Sequence, residues 1–249
     1  MKTNKIIESM LNHRSIRKWK QEPIGEEIVG ILLEVANRTS TSNGLLQSSI
    51  IRITDQKKKD QIVKISKQAY LATAPELFIF VADNFRNDRI LAEGNSATNF
   101  AADGDRFLQG ITDSAIMAQN VVNAAESLGL GVVYFGSVLN EPRRLIELLK
   151  LPERTMPVIA VGIGYPDQEP QLKPRIHLET RVFENEYKVF DNYHEELKEY
   201  DEELQEYYDL RDANRRVDSF TKQVKDKLSL QSETRAEYFE LAKERGYEI

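Results

Sequence analysis

The sequence predicts a fold of mixed helices and strands arranged about one long helix. Glu76 to Ala82 (ELFIFVA) is a continuous apolar run of strand length, the pattern of a strand buried on both faces. Between about Asp103 and Leu128, the residues Leu108, Ile111, Ala115, Ala118, Val122 and Ala125 recur at three- and four-residue steps, the helical period. From about Asp191 the chain becomes a charged, tyrosine-bearing helix (NYHEELKEYDEELQEYYDLRDANRR). That helix has too little apolar surface to fold alone and must pack on the body or on a partner subunit.

In chain order, Ile6, Ile7, Met10 and Leu11 share one face of a first helix, with Thr3 or Asn4 as cap. The segment from His13 to Trp19 breaks that period. Pro23 and Ile24 lead into a second helix whose buried stripe is Ile28, Ile31, Leu32 and Val35. A donor-rich polar loop follows, from Asn37 to Gly44. Ile50 to Ile53 reads as a strand and Gln56 to Ser66 as a charged helix. Small residues in the long central helix allow close approach of a neighbour, so it lies centrally or at a dimer interface, and Gly129 is its natural stop. Strands are expected at Gly131 to Gly136 and Met156 to Ile163, with a short helix at Glu141 to Lys150 between them. Phe220 to Leu228 and Ser232 to Arg245 close the chain as helices.

Composition excludes several classes. The net charge is −6 over 249 residues, which argues against the broad basic face that nucleic acids need. With no cysteine, thiol catalysis, iron–sulfur clusters and disulfides are ruled out. The three histidines, His13, His177 and His194, lack metal-ligand spacing. No window approaches the ~20 apolar residues of a membrane span, and the first helix lacks the continuous apolar core of a signal, so a cytoplasmic protein is expected. No strand–GxGxxG–helix, GxxxxGK[ST] or GxSxG pattern occurs, which disfavours dinucleotide-fold dehydrogenases, P-loop enzymes and α/β-hydrolases.

What remains is positive charge in two places, His13-Arg14-Ser15-Ile16-Arg17 and Lys173-Pro174-Arg175. Guanidinium forks beside a hydroxyl suit a phosphate monoester. The sequence around them, HRSIR, SSIIRITD, AQNVVNAAESLGLGVVYFG, LLKLP, VGIGYP, LKPR, ENEY and EYYDLR in that order, resembles the NADPH-dependent nitroreductase and flavin reductase family along nearly the whole chain.

That resemblance implies an α+β fold with a central, mostly antiparallel sheet flanked by helices, wrapped as an intertwined homodimer with FMN at the interface. Residues 1–190 would form the FMN-binding core, and 191–249 a helical extension that packs on the core or partner and helps bind NADPH. His13, Arg14 and Ser15 would approach the phosphate and ribityl chain, with Lys173 and Arg175 closing from the other side. Arg17 would lie by the N1/C2=O edge, where reduction builds negative charge. Gln68, Thr41 and the segment Tyr134, Phe135, Gly136 and Ser137 would contact the flavin. Arg211 and Arg215, with Arg216 nearby, would meet the NADPH 2′-phosphate. The sequence departs from the family's pattern at Ser137, often glycine, and at Ile176-His177, usually Leu-Pro. Function would be ping-pong electron transfer from NADPH to nitro compounds, quinones or free flavin. The alternatives are a reductase for a disulfide or other small oxidant, and a non-catalytic carrier of flavin or another phosphorylated ligand.

Overall fold

A computed structural model of the chain describes residues 3–207 and 218–249. Two compact units are present, one joining Met1–Glu169 to Ser232–Ile249 and the other spanning Pro170–Gln231.

The first unit is a four-stranded sheet covered by helices on both faces. Its strands are β1 (Ser48–Arg52), β2 (Glu76–Asp83), β3 (Gly131–Phe135) and β4 (Thr155–Gly164), in the order β1-β2-β4-β3 with every neighbouring pair antiparallel. The apolar run ELFIFVA is explained by this placement. Successive side chains of a strand point to opposite faces, and here both faces are core. Leu77, Ile79 and Val81 join Ile62, Ile65 and Leu145 on one side. Phe78 and Phe80 join Leu32, Ala118, Val121 and Val122 on the other.

The helices that supply these layers are α2 (Glu26–Asn37), α3 (Gln56–Ser66), α4 (Phe85–Glu93), α5 (Gly104–Ser127) and α6 (Pro142–Leu149). Helix α1 (Lys5–Leu11) precedes them, and its cap is Asn4, whose side chain accepts from the Ile6 and Ile7 amides at 3.1 and 3.0 Å. Helix α5 ends as expected at Gly129, with φ +78°. The Gly129 amide donates to Glu126 and the Leu130 amide to Ala125, which satisfies the last carbonyls and fixes the helix end.

Two expected stripes are corrected by the packing. On α2 the buried residues are Val29, Leu32 and Ala36, while Ile31 is 44% exposed. On α5 the first half turns Phe107, Gly110 and Ser114 inward, and Leu108 is 62% exposed. Both helices carry apolar residues around more of their circumference than the sheet can cover. Gly110 decides the orientation of α5, since a Cβ there would lie 3.1 Å from that of Ala82 on β2. Ile6, Ile7, Met10 and Leu11 of α1 are likewise exposed in the single chain.

The second unit holds α7 (Tyr193–Glu196), α8 (Lys198–Glu206) and α9 (Phe220–Leu228). The single helix expected from Asp191 is broken at Leu197, which leaves helical geometry at φ −102°, ψ 5°. Helices α8 and α9 are joined by the Tyr200 and Phe220 rings, 5.5 Å apart, and by the Thr221 hydroxyl on Asp201. The last helices, α10 (Glu233–Ala236) and α11 (Tyr238–Glu244), belong to the first unit, where Leu241 and Ala242 pack with Phe107, Ile146 and Met156. No helix among the described residues is long and apolar enough to cross a membrane.

Candidate functional site

The segment from His13 to Trp19 is fastened along the free edge of β3. The Ile16 amide donates to the Val132 carbonyl at 2.8 Å, and the Trp19 indole Nε1 donates to the Gly131 carbonyl at 3.1 Å. Ile16 and Trp19 are 7% and 3% exposed, so these two apolar residues are the anchors. Glycines make room for them. A Cβ at Gly131 would fall 2.7 Å from Ile16, and one at Gly164 would fall 2.7 Å from the Trp19 ring. Beside the anchors, His13, Arg14, Ser15 and Arg17 remain half-exposed, so burial of the two apolar residues has separated the staples from the donors.

Each donor has a different commitment. The His13 ring meets Glu126 of α5, Nδ1 to Oε1 at 2.6 Å. Arg14 reaches the Asn12 carbonyl with Nη1 at 3.4 Å, but its Nε is buried with no hydrogen-bond partner among the described residues. Among the described residues Arg17 makes one long hydrogen bond, 3.5 Å, to the Ser15 carbonyl. Beyond the end of β3, the Ser137 hydroxyl is also buried, without a partner among the described residues. Gly136 faces open space where a side chain would be. A cavity of about 290 Å³ lies between α1, α5 and β3, lined by Met10, His13, Gln119, Asn123, Glu126 and Tyr134. The Tyr134 hydroxyl donates to Gln119 at 3.1 Å. Burial, and then the charge of Glu126, pushes that phenol well above the usual range.

Phe135 is 0% exposed and presents no surface to a ligand, because its ring belongs to the core beneath the site. Its ring centroid lies 5.4 Å from that of Tyr70, and the Tyr70 hydroxyl donates to Gln68 Oε1 at 2.8 Å. Gln68 is thus brought to the β3 end through Tyr70, a residue that the sequence did not single out.

Thr41 is elsewhere. Its hydroxyl donates to Asp113 of α5 at 2.5 Å, and the Ser42 amide and hydroxyl bind the same carboxylate at 2.9 and 2.8 Å. Asp113 is 2% exposed and ties the whole polar loop to the helix. Glu126 and Asp113 are 13 residues apart on α5. At ~1.5 Å per residue, the His13 and Thr41 attachments are therefore about 20 Å apart in one chain.

Lys173 and Arg175 lie in the second unit, and Arg175 donates to the Lys173 carbonyl at 2.8 Å. Arg211, Arg215 and Arg216 lie outside the described residues. The sequence also missed Glu126, Asp113 and Arg235, whose Nη1 donates to the Gly136 carbonyl at 2.9 Å. No local pattern marks these three, since each acts across about 70 to 110 residues of chain.

These residues fit FMN. Cationic donors gather along one strand edge, two buried polar atoms await partners, and the backbone at Gly136 is open to a flat group. Fold and site together define an antiparallel α+β protein with a segment of cationic side chains at a sheet edge, an architecture that suits a flavin-binding oxidoreductase. The sequence matches the nitroreductase family over residues 10–165 and that family's C-terminal domain over 173–249. It is 38% identical over 183 residues to the oxygen-insensitive NADPH nitroreductase of Salmonella typhimurium, covering 73% of this chain and 74% of that one. To the NADPH-flavin oxidoreductase of Vibrio harveyi it is 35% identical over 230 residues, 92% and 93% of the two chains. The solved structure of Bacillus megaterium NfrA1 superposes with a TM-score of 0.91 at 34% identity, covering 99% of this chain and 100% of that one. The chain belongs to the nitroreductase family.

Proposed function

We propose that the protein is an NADPH-driven FMN oxidoreductase, working as a homodimer on small acceptors such as nitro compounds, quinones or free flavin. The carrying observation is a pair of buried donors without partners among the described residues, Arg14 Nε within HRSIR and Ser137 Oγ directly after the YFG strand end, the segments at β3 that resemble the family's cofactor motifs even though Ser137 itself departs from them. Relatives named NADPH nitroreductase and NADPH-flavin oxidoreductase support the same reading. A cytoplasmic location accords with it.

When bound, FMN supplies the two-electron chemistry between NADPH and the acceptor. The chain's own residues bind and orient. Arg14 and Ser15, with His13, hold the phosphate and ribityl chain, and Lys173 and Arg175 are further candidates for the phosphate. Gln68 with Tyr134, Gly136 and Ser137 borders the ring, while Phe135 supports it from the core. Arg211 and Arg215 meet the 2′-phosphate of NADPH. The ~20 Å between His13 and Thr41 along α5 supports a shared site, in which one chain's His13 and the partner subunit's Thr41 serve the same flavin. The exposed apolar residues of α1, α2 and α5 offer the surface for that association.

The test is an absorbance spectrum of the purified protein without oxygen. Oxidised-flavin bands should bleach on adding NADPH alone and return on adding an acceptor alone, which separates the two halves of a ping-pong cycle. A protein that stays colourless after FMN is supplied would refute the reading.

Arg17 is expected to tune the cofactor. A fixed cation near the N1/C2=O edge favours the reduced, more negative form. Arg17→Ala should lower the bound flavin's potential by roughly 30 mV, the equivalent of about 1.4 kcal/mol for two electrons. Redox titration of the two proteins measures this, and equal potentials would take Arg17 out of that role.

A further inference from the structure

We propose that Glu126 is a positioning residue of the cofactor site: it holds the His13 ring toward the FMN phosphate and so sets the preference for FMN over riboflavin. The proposal rests on the reading that His13 meets the phosphate.

His13 follows a short, exposed helix, and a free imidazole there could take several rotamers. Its side chain is held by a group 113 residues away, the Glu126 carboxylate at 2.6 Å. The Glu126 side chain is only 11% exposed and sits in the last turn of α5, directly before the capped helix end at Gly129. Its support is therefore rigid. With Nδ1 engaged by Glu126, Nε2 is the ring nitrogen left to face an oxygen of the ligand, and it donates there when it carries a proton. A carboxylate that orients an imidazole through one nitrogen while the other does the binding is a recurring arrangement.

Charge sharpens the case. Tyr134, across the cavity, feels the Glu126 carboxylate, so that charge reaches into the same space. Left uncovered, it would repel a phosphate. His13 covers it. Besides His13, Glu126 and Tyr134, the cavity lining is Met10, Gln119 and Asn123, all uncharged. Glu126 and His13 thus act as a unit, useful together and harmful if only the carboxylate remains.

A purely structural role, tying the α1–β3 connection to α5, would affect all flavins alike. Riboflavin lacks the phosphate and separates the two possibilities. Dissociation constants for FMN and riboflavin would be measured by fluorescence quenching on the flavin-free protein, for the wild type, Glu126→Gln, His13→Gln and the double variant.

Glu126→Gln should weaken FMN binding about tenfold and leave riboflavin within about twofold. His13→Gln should weaken FMN further, by about thirtyfold, because the bare carboxylate then faces the phosphate. Adding Glu126→Gln to that variant should recover part of the loss. If Glu126→Gln leaves the FMN-to-riboflavin preference unchanged, or weakens both ligands equally, while His13→Gln lowers that preference, the positioning role is overturned and the site stands. If His13→Gln leaves the preference unchanged, the placement of His13 at the phosphate fails and the proposal falls with it.

Discussion

Arg14→Ala will raise the dissociation constant for FMN roughly a hundredfold while leaving the fold's stability unchanged. The first half follows from what the side chain is free to do. A guanidinium fork on a phosphate makes charge-assisted hydrogen bonds worth about 1.5–3 kcal/mol, and every 1.4 kcal/mol is about tenfold in affinity. The second half follows from what it does not do without ligand. Among the described residues Arg14 makes no ion pair, its Nη1 contact to Asn12 is 3.4 Å long, and its Nε has no partner. Removing it takes almost nothing from the unliganded protein and relieves a buried, unsatisfied donor. Fluorescence titration of flavin-free protein measures the affinity, and urea unfolding measures the stability. Arg14→Lys should fall between, since an ammonium keeps the charge and loses the planar fork. An affinity within about threefold of wild type for Arg14→Ala would remove this side chain from the phosphate site.

Trp19→Ala will cost about 3–5 kcal/mol of stability, the range for deleting a large aromatic from a packed core. Its ring fills the space left by Gly164, where a Cβ would fall 2.7 Å from it, and lies against Gly162. Deletion leaves a cavity that the sheet cannot close, because its strands are fixed by their ladder. It also orphans the Gly131 carbonyl, which now accepts from the indole at 3.1 Å. Trp19→Phe keeps most of the volume and should lose only about 1 kcal/mol, for the hydrogen bond. Because Ile16 would remain the only apolar staple between His13 and Trp19, Trp19→Ala should weaken FMN binding as well. Urea denaturation followed by circular dichroism gives the first number, and flavin retention on gel filtration gives the second. A stability loss under about 1 kcal/mol would mean that the ring is not a core element.

Much of the local structure was legible in the residues themselves. The charged helix was expected and found at Gln56–Ser66, and the buried strand begins at Glu76 as read, running one residue further to Asp83. Gly129 ends the long helix because its φ of +78° costs glycine little. The donors of the pentad could be named from chemistry alone, since few side chains suit a phosphate. The faces of α2 and α5 were harder to read. Ile31 and Leu108 repeat at helical period as well as their buried neighbours do, and only the position of the sheet decides which set is inside.

The sequence by itself therefore determined the four strands, most of the helices and the chemical character of the candidate site, though not the helix at Phe85–Glu93 or the breaks in the last helices. Each of these depends on side-chain period, turn chemistry or charge within a few residues. Tertiary structure alone decided which groups meet. It placed Glu126 on His13, closed Asp113 over the Thr41 loop, sank Phe135 into the core beneath Tyr70, and brought Arg235 back from the chain's end to Gly136. The reason is physical. Local propensities act within a turn or two of chain, whereas these contacts join residues about 65 to 113 positions apart. Such pairs form only when the whole sheet and its helices pack, and their energies are set by burial and geometry that no short window of sequence contains.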